Sequence, residues 1–190
     1  MIERGVDGVT IEDITEAADI ARRSFYHHFE SKHEILVPIA RQRTAALNRR
    51  LDRLAASIDD PAEGMATAIR HGAREIPSDP LCCWFALHSG LPVERLKEGF
   101  GESALRDVDR AIEAGRFHLD NRRVLEQLFP AWFIATIGAR VEGRFSDQDL
   151  DDAVEYVLRM FGVERREARR IAHLSLPPLP ADLDHADEND

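Results

Sequence analysis

Cysteine is almost absent from this chain, and its scarcity excludes several kinds of protein. Only Cys82 and Cys83 occur among 190 residues, and they are adjacent. Two neighbouring cysteines cannot supply the disulfide framework of a small secreted domain, and they lack the C-x₂₋₄-C spacing of zinc sites. Core packing is the favoured interpretation, and thiol-sensitive pocket lining and metal binding are the weaker alternatives. We expect no metal and no cofactor, and a reducing cytoplasm as the location.

Long apolar runs are also missing. The longest charge-free run, LFPAWFIATIGA at Leu128 to Ala139, is shorter than the roughly 18 residues that a membrane span needs. The first residues, MIERGVDGVT, contain no apolar segment of the kind found in signal peptides. We therefore expect a soluble cytoplasmic protein without a membrane partner.

An excess of positive charge is missing from the chain as a whole but present in one stretch. The formal net charge is −10, which argues against a general nucleic-acid binder because phosphate affinity comes from clustered lysine and arginine. Between Arg22 and Arg50, however, seven basic residues occur with only two acidic ones. Acidic residues concentrate at the other end of the chain. The segment 176–190, which begins LPPLP, is predicted to be a disordered acidic tail.

The hydrophobic pattern predicts an all-α fold. Thr10, followed by acidic residues, is typical of a helix N-cap. The stretch from Ser31 to Glu34 predicts a capping box that opens a long amphipathic helix. No alternating strand pattern is present. Helices are predicted at about 11–18, 22–29, from 31 to before 59, and at 62–75, 81–89, 92–115, 121–143, 147–162 and 164–173.

The second short helix has two distinct faces. Phe25 and Phe29 form an i, i+4 pair that points to the core, whereas Arg23, Tyr26 and His27 point away from it. Such a helix is about 12 Å long, which matches a major groove roughly 12 Å wide. Helix N-termini on either side of it are ready phosphate sites. This layout indicates a helix-turn-helix.

The stretch GVDGVTIEDITEAADIARRSFYHHFESKHEIL, Gly5 to Leu36, resembles the helix-turn-helix of the tetracycline-repressor (TetR) family of transcriptional regulators. The resemblance implies a DNA-binding head at 1–50, with its helix-turn-helix at about 10–29, and a C-terminal effector-binding and dimerisation domain at 51–175. It also implies a homodimer that binds a palindromic double-stranded DNA operator and a small apolar effector. The residues that it places at the DNA are Thr10, Arg22, Arg23, Ser24, Tyr26, His27 and Lys32.

Three positions depart from the usual pattern of that family. Asp19 replaces a turn glycine, which is tolerable because aspartate can adopt the left-handed conformation. Ala21 replaces the usual serine cap, a loss of about 1 kcal/mol, and Arg23 replaces a small residue. The family's first helix is also largely missing, because only four residues precede Gly5, and we expect a loosely packed head.

The C-terminal part suggests both a ligand pocket and a subunit interface. Aromatic clusters pack cores but also line apolar pockets, and Arg70, His71, His88 and Arg140 are candidate polar anchors. The helices at 121–143 and 147–162 carry apolar faces, and we expect them to form a dimer interface, the alternative being a core within one chain. The candidate pocket residues are Trp84, Phe85, His88, Trp132 and Phe133.

These features predict a sequence-specific DNA-binding regulator, acting as a ligand-responsive repressor. The alternative is a helical small-molecule binding or interaction protein whose head does not bind DNA. An enzyme is not expected, because the sequence offers no nucleophile–base constellation and no metal-ligand spacing.

Overall fold

Every regular element in the described part of the chain is an α-helix, which confirms the predicted fold class. The computed structural model describes residues 8–88 and 102–181, apart from the side chains of His33, His88 and Glu102. The start of the predicted helix at 92–115 therefore lies outside the described residues, as do the four residues before Gly5. In chain order the helices are α1 (Ile11–Ala17), α2 (Arg22–His28), α3 (Lys32–Ala56), α4 (Pro61–Ser78), α5 (Pro80–His88), α6 (Glu102–Glu113), α7 (Arg122–Val141), α8 (Asp147–Met160) and α9 (Arg165–Ala172).

Local chemistry explains the two short helices of the head. Thr10 caps α1 in a reciprocal capping box with Asp13, whose backbone N–H donates to the Thr10 hydroxyl over 3.1 Å. Asp19 takes φ +51° in the turn, as predicted for an aspartate in place of glycine. Ala21 starts α2 without a side-chain cap. The turn and both helix starts thus follow from the sequence.

The start of α3 differs from the predicted capping box. The Ser31 side chain makes no capping hydrogen bond, and the Glu34 carboxylate accepts from the backbone N–H of Glu30 over 2.8 Å. In a capping box the Glu34 carboxylate would accept from the N–H of Ser31, so the reciprocal pair is not formed. α3 itself is 25 residues long, or about 37 Å, so the predicted domain boundary at residue 50 falls inside one continuous helix.

The C-terminal core is built around α4, which contacts α3 and the helices from α5 to α9. Val157 and Phe161 are fully buried in this core. The helices α7 and α8 were expected to form a dimer interface, but Val157 and Phe161 cannot belong to it, because α4 and α9 cover them within one chain. Dimerisation through other faces of α7 and α8 stays a prediction. The buried members of the main core include Met65, Ile69, Val108, Phe117, Leu125, Leu150, Val154, Val157, Leu158, Phe161 and Ile171.

The segment after α9 differs from the predicted disordered tail over residues 176–181. His71 Nε2 lies 2.8 Å from the Pro177 carbonyl oxygen, and Arg50 Nε donates to the Pro180 carbonyl over 2.7 Å. Leu179 packs on a second apolar cluster between α3, α4, α5 and α7. Residues 174–181, which we call the C-terminal strap, therefore lie along α3 and α4. Residues 182–190 lie outside the described residues.

Candidate functional site: a basic helix face and an apolar cavity

The outer face of α2 is the first candidate site. Phe25 is 0% exposed and anchors the helix, while the next residue, Tyr26, is 49% exposed. The two rings meet edge to face with centroids 5.6 Å apart, so the buried ring orients the exposed one. Arg23, Ser24 and His27 are also exposed. The structure thus presents the predicted outward side chains together on one surface.

The two arginines of this surface have different surroundings. Arg22 forms an ion pair with Glu12 of α1, and its guanidinium lies 5.7 Å from the centre of the Tyr26 ring. Arg23 has no hydrogen bond or ion pair with any other described residue. Arg22 therefore braces α2 against α1, and Arg23 offers its full hydrogen-bonding capacity to a partner.

The residues predicted to bind phosphate lie on either side of α2. Lys32 Nζ donates to the carbonyl of Val9 over 3.0 Å, which ties the start of α3 to the residue before the α1 cap. The Thr10 hydroxyl lies 2.7 Å from a carboxylate oxygen of Asp13. Both side chains therefore stabilise the head in the absence of DNA, and they lie at the two helix starts that flank α2.

A second candidate site is a cavity in the C-terminal domain, between α3, α4, α6 and α7. Its volume is about 90 Å³, several times what a single water needs. Most of its wall is apolar, and Met65, Ile69, Phe129 and Phe133 contribute side chains. A cavity of this kind favours small, mainly apolar molecules.

The polar groups of the cavity are mostly acceptors. Asp52 of α3 accepts a hydrogen bond from the Ser103 hydroxyl of α6 and lies 3.4 Å from a guanidinium nitrogen of Arg106. Asp107 also lines the cavity. Burial raises the pKa of Asp107, and the nearby carboxylate of Asp52 adds to the effect against the attraction of Arg110. The α3–α6 side of the cavity is therefore rich in carboxylate oxygens.

Most of the predicted pocket residues lie elsewhere. Phe133 lines the cavity, and Trp132 packs beside the main core. Trp84 and Phe85 instead fill a separate cluster with Leu36 of α3, because α5 lies against α3 on the side facing the head. The His88 side chain lies outside the described part of the structure. The clustering of aromatic residues in the sequence thus predicted which regions are buried, but not which rings line the cavity and which pack in the core.

The candidate polar anchors also have other partners. Arg70 forms a buried ion pair with Asp151, with Nε 2.8 Å from the carboxylate. Arg140 pairs with Asp147 over 2.8 Å, and the Nε2 of His71 faces the C-terminal strap. These three side chains stabilise helix packing. The polar groups of the cavity come from α3, from α6 and from Glu126 of α7, and none of these was predicted.

The two cysteines belong to the packing of α5. Cys82 is buried, and its sulfur lies 3.8 Å from the Thr44 hydroxyl. Burial raises the pKa of the Cys82 thiol to about 11, so almost no thiolate forms at neutral pH. This surrounding supports core packing over a metal or redox role.

Apolar side chains also remain exposed along α7 and α8. Val124 and Leu128 on α7 are 51% and 50% exposed, and Tyr156 and Met160 on α8 are 64% and 42% exposed. Each pair is spaced by four residues and so lies on one helix face. These four residues form what we call the α7–α8 face.

Comparison with known proteins identifies both parts of the chain. Residues 1–39 match the model of bacterial regulatory proteins of the tetR family, and residues 60–174 match the model of the tetracyclin repressor-like C-terminal domain. The HTH-type transcriptional repressor DhaR of Mycobacterium sp. (strain GP1) is 55% identical over 31 residues. That match spans only 16% of this chain and 16% of DhaR.

Two solved structures extend the similarity to nearly the whole chain. RolR in complex with its ligand resorcinol has a TM-score of 0.82 and 32% identity, over 93% of this chain and 88% of RolR. RolR without ligand has a TM-score of 0.79 and 32% identity, and the match covers 95% of this chain and 94% of the RolR chain. Regulators of this family bind DNA operators and small molecules, and they are not enzymes. The chain therefore belongs to the tetR family of bacterial regulatory proteins.

Proposed function

We propose that this protein is a homodimeric repressor that binds a palindromic DNA operator through α2 and responds to a small, largely apolar ligand in the α3–α4–α6–α7 cavity. The observation that carries the proposal is the exposed outer face of α2, held in place by the fully buried ring of Phe25. A short helix with a buried anchor and an outward polar face is how a helix-turn-helix presents side chains to the major groove.

Each predicted DNA contact has a distinct role in this proposal. Arg23, Tyr26 and His27 point into the groove and donate hydrogen bonds to base edges. Ser24, the neighbouring exposed hydroxyl, contacts base or phosphate at the rim. Arg22 holds the angle between α1 and α2 through Glu12.

Phosphate contacts come from the helix starts on either side of α2. Ser31 does not cap α3, so the first backbone N–H groups of that 25-residue helix are free of its hydroxyl and can bind a phosphate together with Lys32. Thr10 contacts a phosphate at the start of α1 in a different way, because its hydroxyl caps that helix and must exchange the Asp13 carboxylate for a phosphate oxygen. Such contacts position the protein on the duplex, whereas α2 supplies the specificity.

The α7–α8 face is the proposed subunit interface. Val124, Leu128, Tyr156 and Met160 are exposed in one chain, and a second copy related by a two-fold axis would bury them against themselves. The two recognition helices must then reach half-sites about 34–36 Å apart. This requirement gives the operator its two-fold symmetry.

The proposed ligand is a small, uncharged aromatic compound with hydroxyl groups. The apolar wall accommodates a ring, and the oxygens of Asp52, Ser103 and Asp107 accept hydrogen bonds from hydroxyl donors. The raised pKa of Asp107 reflects a poorly hydrated carboxylate, which disfavours an anionic ligand. Resorcinol, the ligand in the RolR complex, has this chemistry and supports the assignment.

α3 connects ligand to DNA in this proposal. Asn48, Leu51 and Asp52 line the cavity, and the same helix begins at Lys32 beside α2. A ligand that displaces α3 relative to α6 therefore moves the head, and DNA and ligand are coupled through one conformational equilibrium. The Asp52–Ser103 hydrogen bond joins α3 directly to α6, so such a displacement would stretch or break it.

The proposal is tested by selecting bound duplexes from a random pool and measuring their affinity with and without resorcinol and related phenols. We expect enrichment of a palindrome and a change in affinity with at least one phenol. Asp107→Asn should remove the response while keeping DNA affinity, and Asp120→Asn, at an exposed position, is the matched control. Failure to enrich any sequence, with phenol binding retained, would favour the binding protein without DNA function.

A further inference from the structure

Three metal-ligating side chains meet where α8 packs against the end of α9, far along the chain from the cavity. Asp152 and Glu155 are three residues apart on α8, so their carboxylates lie side by side. His173 follows α9 directly. One carboxylate oxygen from each acid and one imidazole nitrogen lie within 4.8 Å of one another.

The buried glutamate of this cluster lacks a partner. Glu155 is only 8% exposed, yet its carboxylate has no hydrogen bond or ion pair with another described residue. A carboxylate on a side chain with so little exposed surface is poorly hydrated and gains from a nearby cation. Arg70 and Arg74, which reach α8 from α4, pair with Asp151 rather than with Glu155.

The imidazole of the cluster is also unsatisfied. Nε2 of His173 is shielded from solvent without a hydrogen bond, although it lies 3.3 Å from a carboxylate oxygen of Asp152. The same oxygen of Asp152 accepts a long contact of 3.4 Å from the Gln148 amide. Two carboxylates and one imidazole thus converge, and their potential metal-ligating atoms make few or only long hydrogen bonds within the protein.

We propose that Asp152, Glu155 and His173 bind a divalent transition-metal ion, with Zn²⁺ as the best match. Two carboxylates and one neutral imidazole balance a charge of +2, and three protein ligands with one water is a common zinc arrangement. An imidazole ligand disfavours Mg²⁺ and Ca²⁺, which prefer oxygen ligands. Tetrahedral ligands about 2.0–2.1 Å from zinc lie roughly 3.4 Å apart, so a modest side-chain rotation closes the site.

The bound ion would join the end of α9 to α8. The Leu174 carbonyl, one residue beyond His173, already accepts from Arg70 over 2.6 Å and begins the C-terminal strap. Zinc at this junction would therefore fix both the end of α9 and the start of the strap. Metal binding should accordingly raise thermal stability.

The test uses the full chain, stripped of metal with a chelator and kept reduced. Titration calorimetry with ZnCl₂ should show one ion per chain. Glu155→Gln and His173→Gln keep the size of each side chain and should each weaken binding by at least about tenfold. Glu113→Gln and His118→Gln, at exposed positions of the same residue types, are matched controls and should bind as the wild type does.

Cobalt and MgCl₂ provide two further readouts. Co²⁺ should occupy the site with a visible spectrum of nitrogen and oxygen ligands, and Mg²⁺ should not raise the melting temperature. The proposal is overturned by the absence of saturable zinc binding, by unchanged affinity in both ligand variants, or by a cobalt–thiolate band that assigns the ion to the cysteines. If Glu155→Gln or His173→Gln fails to fold by circular dichroism, Asp152→Asn takes its place and must show the same loss.

Discussion

The candidate sites of the head and of the C-terminal domain differ in polarity, in exposure and in how they are assembled from the sequence. On α2 the site is polar, exposed and contained in one stretch from Arg22 to His27. In the C-terminal domain it is apolar, enclosed and assembled from residues as far apart as Asn48 and Ile134. A surface helix has a face that helical periodicity defines, whereas a cavity exists only once several helices have packed.

The two regions also differ in how much holds them together. Between residues 8 and 31, only Val9, Thr15 and Phe25 are buried. In the C-terminal domain, α4 alone has twelve buried residues. Local stability follows the density of buried contacts, so the head should open far more readily than the core and should depend on one aromatic ring.

The largest expected effect comes from removing that ring. Phe25→Ala should destabilise the head by about 3–5 kcal/mol, the usual cost of truncating a buried phenylalanine. Hydrogen exchange should then show residues 10–29 unprotected in the variant, and less protected than α4 and α8 even in the wild type. The C-terminal helices should keep their protection.

Phe161→Ala is the matched control in the main core. The Phe161 ring stacks on Phe117 with centroids 4.7 Å apart, so its loss should lower the stability of the whole C-terminal domain by a similar amount. Equal protection of the head and the core in the wild type would contradict the difference described above.

The next effect concerns assembly. Leu128→Glu on the α7–α8 face should weaken a dimer by about 1.5–3 kcal/mol per copy, because the exposed half of the leucine no longer becomes buried and a charge enters an apolar interface. The charged residue should leave the fold intact, because Leu128 is half exposed in one chain. Light scattering over a concentration series measures the shift toward monomer.

Val157→Glu separates assembly from folding. Val157 is 0% exposed within one chain, so this variant should lose its helical circular dichroism signal on mild heating. A Leu128→Glu protein with the wild-type mass at every concentration would place the subunit interface elsewhere.

DNA binding gives the third effect. Arg23→Ala should cost about 1–3 kcal/mol of affinity for the selected operator and relax the preference for one base pair, because Arg23 is free to contact bases. Arg169→Ala, an exposed arginine of α9, removes the same charge away from the head and is the control. Quantitative gel-shift titration at fixed salt makes the comparison.

Arg22→Ala should behave differently from Arg23→Ala. Arg22 pairs with Glu12, so its loss should weaken binding to all sequences through a looser α1–α2 angle, with no change in base preference. Equal loss of sequence preference in both variants would argue against the separate roles given to the two arginines.

The sequence was informative where neighbouring residues determine the outcome. Thr10 predicted a cap, Asp19 a left-handed turn and Phe25 a buried face, because each depends on residues within one or two turns. The cap at Ser31 failed for a local reason, since Glu34 reached the N–H of Glu30 instead. Even there, the helix start was correct to within one residue.

The cavity could not be predicted in the same way. Trp84 and Phe133 are both aromatic residues on apolar helices, yet only Phe133 reaches the cavity, because α7 lines the cavity whereas α5 packs its ring beside Leu36 of α3. Close packing at Gly72 illustrates the point, since a Cβ there would meet the Phe133 ring at 3.2 Å. Tertiary packing of this kind leaves no periodic pattern in the sequence.

The smallest expected effect tests the C-terminal strap through pH. The Nε2 of His71 donates to the Pro177 carbonyl, which can only accept, and burial lowers the pKa of His71 from its usual 6.5. Below about pH 6.5 the unfolded chain therefore takes up a proton that the folded chain resists, so this group's contribution to stability is present above that pH and is lost as the pH falls. The free energy of unfolding, measured with urea at pH 7.5 and pH 5.5, should fall less between the two for His71→Gln than for the wild type. The glutamine keeps a hydrogen-bond donor but cannot titrate. His118→Gln, at an exposed position, is the control, and an unchanged loss in His71→Gln would mean that the strap is not held through this hydrogen bond in solution.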